Sequence, residues 1–365
     1  MALRFPHLVL AVAAAAGCGD NHGAGDAGTS PPAAMIVSGD LTPGDPGVLA
    51  KLDIGAMSVT PGLAPAGAVG DDTVLRRFGS ELFLINRADG ANVTILDAAT
   101  RAVVAQLATG AGSDPQDVAV VGDKLYVPVY GGTGVAVLTR GSPAIATIDL
   151  SADDPDGKPQ CMSAMLAGTD VYVTCQLLDA SAAPRGNGRV YVIDSATDTV
   201  RTSFALTTKN PISLLEEVGD GSLAVATVDF ADHSGCIEKF VPGASPTSAC
   251  ITSNTLLGGY ATRLQFQQLA DDGRFLWAAV RGFDAAQPTG TLMAYDFTSA
   301  ELWPPISTPD ELVGDVGLCP DGTIVIADHT PGAAGVRAYQ EATEVTTAAL
   351  SIGLSPASPH GIECY

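Results

Sequence analysis

Residues 171–175 read Val171-Tyr172-Val173-Thr174-Cys175, and a second apolar run, Val190-Tyr191-Val192-Ile193-Asp194, leads into Ser195-Ala196-Thr197-Asp198-Thr199-Val200. Short runs of β-branched and aromatic residues bounded by Gly/Asp turns read as strands. The first run has counterparts along the whole chain: Leu82-Phe83-Leu84-Ile85-Asn86, Leu125-Tyr126-Val127-Pro128-Val129, Leu223-Ala224-Val225-Ala226-Thr227, Phe275-Leu276-Trp277-Ala278-Ala279 and Thr323-Ile324-Val325-Ile326-Ala327. Their starts lie 43 to 52 residues apart, the period of a four-stranded propeller blade. A second strand follows each, as at Val93–Asp97 and Leu292–Asp296. A more irregular strand precedes each, often opening with proline, as at Pro115, Pro159 and Pro211.

These repeats make six blades. A seventh opens the domain with Ala34–Ser38 and Val48–Leu52 but has no inner strand ahead of it. The missing piece stands at the other end, where Ser358–Cys364 reads as a proline-led inner strand with no blade behind it. The expectation is an all-β, seven-bladed propeller of four-stranded antiparallel blades over residues 34–365, its C-terminal strand closing blade one. Closure leaves no free sheet edge at the ring ends. The competing arrangement is a pair of β-sandwiches.

Leu125-Tyr126-Val127, Val171-Tyr172-Val173-Thr174 and the Val192–Val200 turn resemble the YVTN-type bacterial β-propellers, which are close in architecture to quinoprotein-like and WD40-like propellers. Two places depart from that pattern. Pro128 falls inside a central strand, where it removes a ladder donor and predicts a bulge. Blade five, around Cys236–Tyr260, lacks the Asp-Ala-Thr turn.

Composition agrees with one all-β unit. The 41 Gly and 24 Pro are spread along the chain, and charged residues make up 16%. The net charge is −22, and the main basic cluster is Arg76-Arg77. Such a surface repels phosphate backbones, which argues against nucleic acid as a partner. It is not drawn to anionic lipid either, so membrane attachment requires a covalent or hydrophobic anchor.

The N-terminus supplies a candidate anchor. Arg4 precedes the apolar run Leu8–Ala14, too short to span a bilayer, and Ala15-Ala16-Gly17-Cys18 follows. This resembles the lipobox of bacterial lipoproteins, with Ala15 where that family prefers Leu. The resemblance implies a signal peptide over residues 1–17, lipidation of Cys18 and a membrane-anchored monomer at the cell envelope. Gly19, in place of the aspartate that retains some lipoproteins in the inner membrane, points to the outer membrane. The competing reading is an ordinary secretory signal. Residues 18–33 then form a tether whose fifteen residues after the cysteine reach on the order of 20 Å as a Gly-rich coil.

Six cysteines remain, an even number in an exported chain. Cys161 and Cys175 are equidistant from a turn near Gly168, and should face each other across the two inner strands of one blade. Cys236 and Cys250 do the same about Pro242-Gly243. Cys319 and Cys364 are left for the neighbouring inner strands of blades seven and one, where a bond would constrain a loop spanning almost the whole domain. Thiol or metal chemistry is the alternative, although no Cys-x-x-Cys occurs.

The blade map places the starts of inner strands and the loops after second strands on one face, around the channel mouth. Asp117, Arg263, Asp315 and His360 come from inner strands, and Asp229, His233, Arg281 and His329 from loops. These side chains bind metals, anions or protons, which makes them candidate ligand-binding residues; loop ends also carry polar residues simply to meet solvent. The acidic turns Asp153–Gly157 and Asp271–Gly273 lack the spaced ligands of a calcium loop. Nucleophile-elbow, Walker, Rossmann and zinc-protease motifs are absent from the sequence, and no catalytic residue, metal or cofactor is identified. The leading expectation is a non-catalytic binding or scaffold module for a protein or small-molecule ligand. The alternative is a propeller enzyme, a lactonase-like hydrolase or quinoprotein-like oxidoreductase, with a metal or cofactor at the channel mouth.

Overall fold

The computed structural model describes residues 32–365 apart from 43, 270–271, 308–311, 341 and 358. Cys18, the signal segment, nearly all of the tether, Asp271 and Ser358 lie outside the described residues. Within them the chain forms seven four-stranded antiparallel sheets. Blade two shows the plan: Thr73–Phe78 lies innermost, followed outward by Glu81–Asn86, Asn92–Asp97 and Val103–Ala108. Helix is confined to single turns such as Asn254–Leu257.

The apolar second strands are explained by what they touch. Side chains alternate between the two faces of a strand, and here both faces are covered by neighbouring blades. Leu82 and Leu84 therefore pack with Met35, Val37 and Leu49 of blade one, while Phe83 and Ile85 pack with Leu125 and Val127 of blade three. Seven such clusters fill the seven gaps between blades, the last joining Val325 and Ala327 of blade seven to Ile36 and Leu52 of blade one. Outermost strands face water on one side, and Val103–Ala108 alternates accordingly.

The C-terminus closes the ring. Ile362–Cys364 pairs antiparallel with Ala33–Ser38, with Ala34 opposite Cys364 and Ile36 opposite Ile362. Tyr365 and Ala33 exchange N–H to carbonyl bonds of 2.9 and 3.0 Å. The strand is shorter than the expected Ser358–Cys364: Gly361 and Ala357 both bond to Val37, so the chain between them leaves the ladder, and His360 sits there at φ 70°. Gly317 of blade seven permits the close approach of this strand, since a Cβ there would lie 2.5 Å from Ile362 Cγ2.

Pro128 pairs with Val135 in unbroken register, so its own strand carries no bulge. The irregularity lies opposite. Ala119 faces Tyr126 and Pro115 faces Val129, a one-residue slip in the inner strand at the place toward which Pro128 has no N–H to offer. The same slip recurs in blades four, six and seven, immediately before Ser163, Arg263 and Asp315.

Three disulfides join Cys161 to Cys175, Cys236 to Cys250 and Cys319 to Cys364. The first crosses the two inner strands of blade four. The second links the two outer strands of blade five. The third fastens blade seven to the closing strand, but the loop it encloses has a sequence separation of 45 and does not span the domain; the ring is closed by hydrogen bonds.

Candidate functional site

Each inner-strand slip turns a side chain out of the ladder, here toward the channel. The result is a buried polar network that passes from blade to blade. Arg76 of blade two lies 3.4 Å from Asp117 of blade three. Asp117 in turn accepts bonds from the Ser163 hydroxyl at 2.9 Å and the Ala164 N–H at 3.0 Å in blade four. Ser163 accepts the Leu215 N–H of blade five at 2.8 Å. The neighbouring Leu214 N–H donates to His360 Nε2 at 3.3 Å, and His360 Nδ1 meets the Arg263 guanidinium of blade six. Arg263 lies 3.7 Å from Asp315 of blade seven and 3.5 Å from Glu363. Asp315 accepts the Gly361 and Ile362 N–H groups at 2.6 and 3.0 Å, which returns the path to blade one.

Asp117, Arg263, Asp315 and His360 are thus brought together, each 2% exposed or less. For Asp117, Asp315 and His360, titration follows from burial. Desolvation pushes Asp315 up to about 6 against the pull of Arg263 and backbone N–H groups. It raises Asp117 in the same way, opposed first by Arg76. His360 is held far below the ordinary histidine value by burial and then by Arg263, Arg76 and Arg87. Both its ring nitrogens face N–H groups, so an imidazolium would find no acceptor. For Arg76, burial works against the charge, yet Asp117, Glu363 and Glu216 outweigh it and hold the guanidinium protonated. These groups face one another across the axis, although Asp117 Oδ1, Arg263 Nε and Asp315 Oδ1 are buried there with charge contacts but no hydrogen-bond partner.

The loop candidates separate from this network. Asp229 is tied to Lys209 at 2.8 Å and held below the usual carboxylate range by that bond. His233, at φ 61°, lies flat on Phe283 with ring centroids 4.1 Å apart. The Ser355 hydroxyl contacts His329 Nδ1 at 3.2 Å, and burial, then nearby Arg281, pushes the His329 ring below the ordinary histidine value. His233, His329 and His360 have no partner in common. Among the described residues the trio able to hold a metal is Cys236, Glu238 and Cys250, but its sulfurs are bonded to each other, and Glu238 accepts the Thr207 and Thr208 N–H groups at 2.8 Å each.

Above the network the mouth opens into a hollow of about 450 Å³, walled by Gln116, Tyr130, Met162, Gln176, Asn210 and Phe230. Tyr130, Gln176 and Phe230 lie just past the second strands of blades three, four and five. Asp114 and Asn210 precede Pro115 and Pro211 at φ 49° and 53°, a left-handed turn that Asn and Asp tolerate. A second hollow, also about 450 Å³, lies between the loops of blades five and six against Phe230, His233, Tyr260, Arg281 and Phe283. Phe230 divides the two and is 53% exposed. Sequence reasoning missed Arg76 and Glu363 in the network and the aromatic residues of the mouth. Phe230 did carry a signal, as a large apolar residue within Asp229-Phe230-Ala231-Asp232-His233.

No protein-family model matches the sequence, and no curated protein is detectably similar to it. Solved structures are similar in shape. A proposed 6-phosphogluconolactonase from Bacteroides uniformis superposes with a TM-score of 0.64 at 13% identity, over 92% of this chain and 100% of that one. The β-propeller domain of Myceliophteria thermophila Cps50 (Swd1) gives 0.59 at 13% identity, over 84% and 93%. Apo AztD from Citrobacter koseri gives 0.57 at 13%, over 92% and 98%. What is shared is the fold. At these identities the residues of a site do not carry across.

Proposed function

We propose that this chain is a lipid-anchored, YVTN-like propeller of the cell envelope that acts as a non-catalytic binding module, with the channel mouth as its ligand face. One observation supports this above the others. The strongest chemistry-bearing residues, Arg76, Asp117, Arg263, Asp315 and His360, are turned on one another in the channel, whereas the mouth above them offers a hollow and an exposed aromatic ring. In this reading the network is the axle that holds seven blades together, and the loops outside it do the binding.

The test is to screen ligand classes by thermal shift on the purified full chain and to repeat each hit on Phe230→Ala. Hits weakened by the substitution support the mouth as ligand face; hits indifferent to it remove that assignment. The resemblance to a protein named as a 6-phosphogluconolactonase keeps a propeller enzyme as the second reading. Elemental analysis and an absorbance spectrum of the same preparation test the quinoprotein-like or metal-dependent forms of that reading, and an assay of lactone hydrolysis tests the hydrolase form, which general base catalysis can run without a metal.

A further inference from the structure

We propose that the mouth binds a neutral oligosaccharide laid across Phe230, with part of it in each hollow. This rests on the mouth being the ligand face and names the chemistry that face takes. Phe230 is exposed but firmly held: Tyr260 meets its edge with centroids 5.2 Å apart and planes at 88°, and Phe283 backs Tyr260 at 5.4 Å. A braced aromatic face in water suits a flat ligand that is apolar on its face and polar at its rim, and a pyranose ring has both.

The polar walls of the central hollow agree. Gln116, Gln176 and Asn210 line it at 6%, 5% and 4% exposure, and Asn210 Oδ1 has no hydrogen-bond partner. A carboxamide both donates and accepts, as a sugar hydroxyl does. The charges in this hollow are already engaged. Asp72 pairs with Arg87, and Asp114 accepts from the Ala88 N–H at 2.9 Å and Gln116 Nε2 at 2.8 Å. The second hollow carries one charge of each sign, Arg281 and Asp284. An anion would enter a chain of net charge −22 with no spare guanidinium in the central hollow, and would meet Arg281 of the second hollow only beside Asp284. A cation would have to share Asp72 and Asp114 with the donors that both already hold on Oδ1. A neutral polyol needs neither.

The experiment is calorimetric titration of the full chain with neutral gluco-, galacto- and xylo-oligosaccharides, glucose 6-phosphate, an oligogalacturonate and a cationic chitosan oligomer. At least one neutral oligomer should bind, with affinity falling tenfold or more in Phe230→Ala and several-fold in Asn210→Gly, which keeps the left-handed backbone, while both variants melt like the parent. Binding confined to charged probes, no binding by any probe, or neutral binding untouched by Phe230→Ala overturns the proposal. A parallel screen with peptides, nucleosides and amines tells the two failures apart. A non-saccharide hit lost in Phe230→Ala and Tyr130→Ala overturns only the sugar, whereas a hit indifferent to both removes the mouth as well.

Discussion

Arg263 and His360 show how much a single residue in the channel controls. Arg263 is 1% exposed and is the only guanidinium facing Asp315 among the described ion pairs. Removing one partner of a buried pair strands the other, at about 3–5 kcal/mol. Arg263→Met should therefore lower unfolding stability by about that much in denaturant titration, and adding Asp315→Asn should recover part of it. His360 makes a pH prediction. Its folded-state value lies well below 6.5, so the unfolded chain binds the proton that the folded chain refuses. Stability from this group is present above pH 6.5 and is lost as pH falls below it. Asp315 acts in the opposite sense, because its raised value makes the folded state the better proton binder between about pH 4 and 6. The stability gap between parent and His360→Gln should thus shrink by about 1.4 kcal/mol per pH unit below 6.5. A gap that stays constant across pH 4.5–7.5 would show that His360 takes up its proton equally in the folded and unfolded chains.

At the scale of elements, the closing strand has the largest consequence. Only three residues, Ile362–Cys364, form its ladder, yet they complete blade one and fill the gap to blade seven with Ile362. Deleting Ser358–Tyr365 should unfold the domain as a unit, read as loss of the cooperative melting transition. A truncated chain that melts like the parent would refute ring closure. The Cys319–Cys364 bond adds a separable contribution. For a loop of 45 residues the chain-entropy model gives about 4 kcal/mol, so the double Cys319→Ser/Cys364→Ser variant should lose up to that amount and still fold. The inner-strand slips belong to the same scale. Proline at Pro115 and Pro211 marks where these strands begin, but the slip that turns Asp117, Ser163, Arg263 and Asp315 inward comes from pairing with the second strand and, apart from Pro128 in blade three, has no local sequence sign.

At the scale of the whole molecule, the proposed lipid anchor and the ring can be tested apart. The described residues close their core among themselves through seven inter-blade clusters. Cys18→Ser should therefore abolish incorporation of labelled fatty acid and release the protein from membranes, with the melting temperature unchanged. Continued membrane association by that variant would remove the lipid anchor from the proposed function. The charge of −22 acts at this scale too, keeping anionic polymers at a distance whatever the mouth recognises.

The sequence by itself determined the blade number and pointed to the closing strand and the cysteine pairs, because blade periodicity and the distances to turns are local, and a strand buried on both faces writes its apolar run without interruption, as Leu82–Ile85 does. It also marked the inner-strand residues of the channel as unusual. Only the tertiary structure decided what those residues do. Asp117, Arg263, Asp315 and His360 lie far apart in the chain and meet across the axis, where each satisfies a charge or a backbone group of another blade. The same reason hid the mouth: Tyr130, Gln176, Asn210 and Phe230 come from three blades, and no spacing along one strand encodes a surface that exists only once the ring has closed.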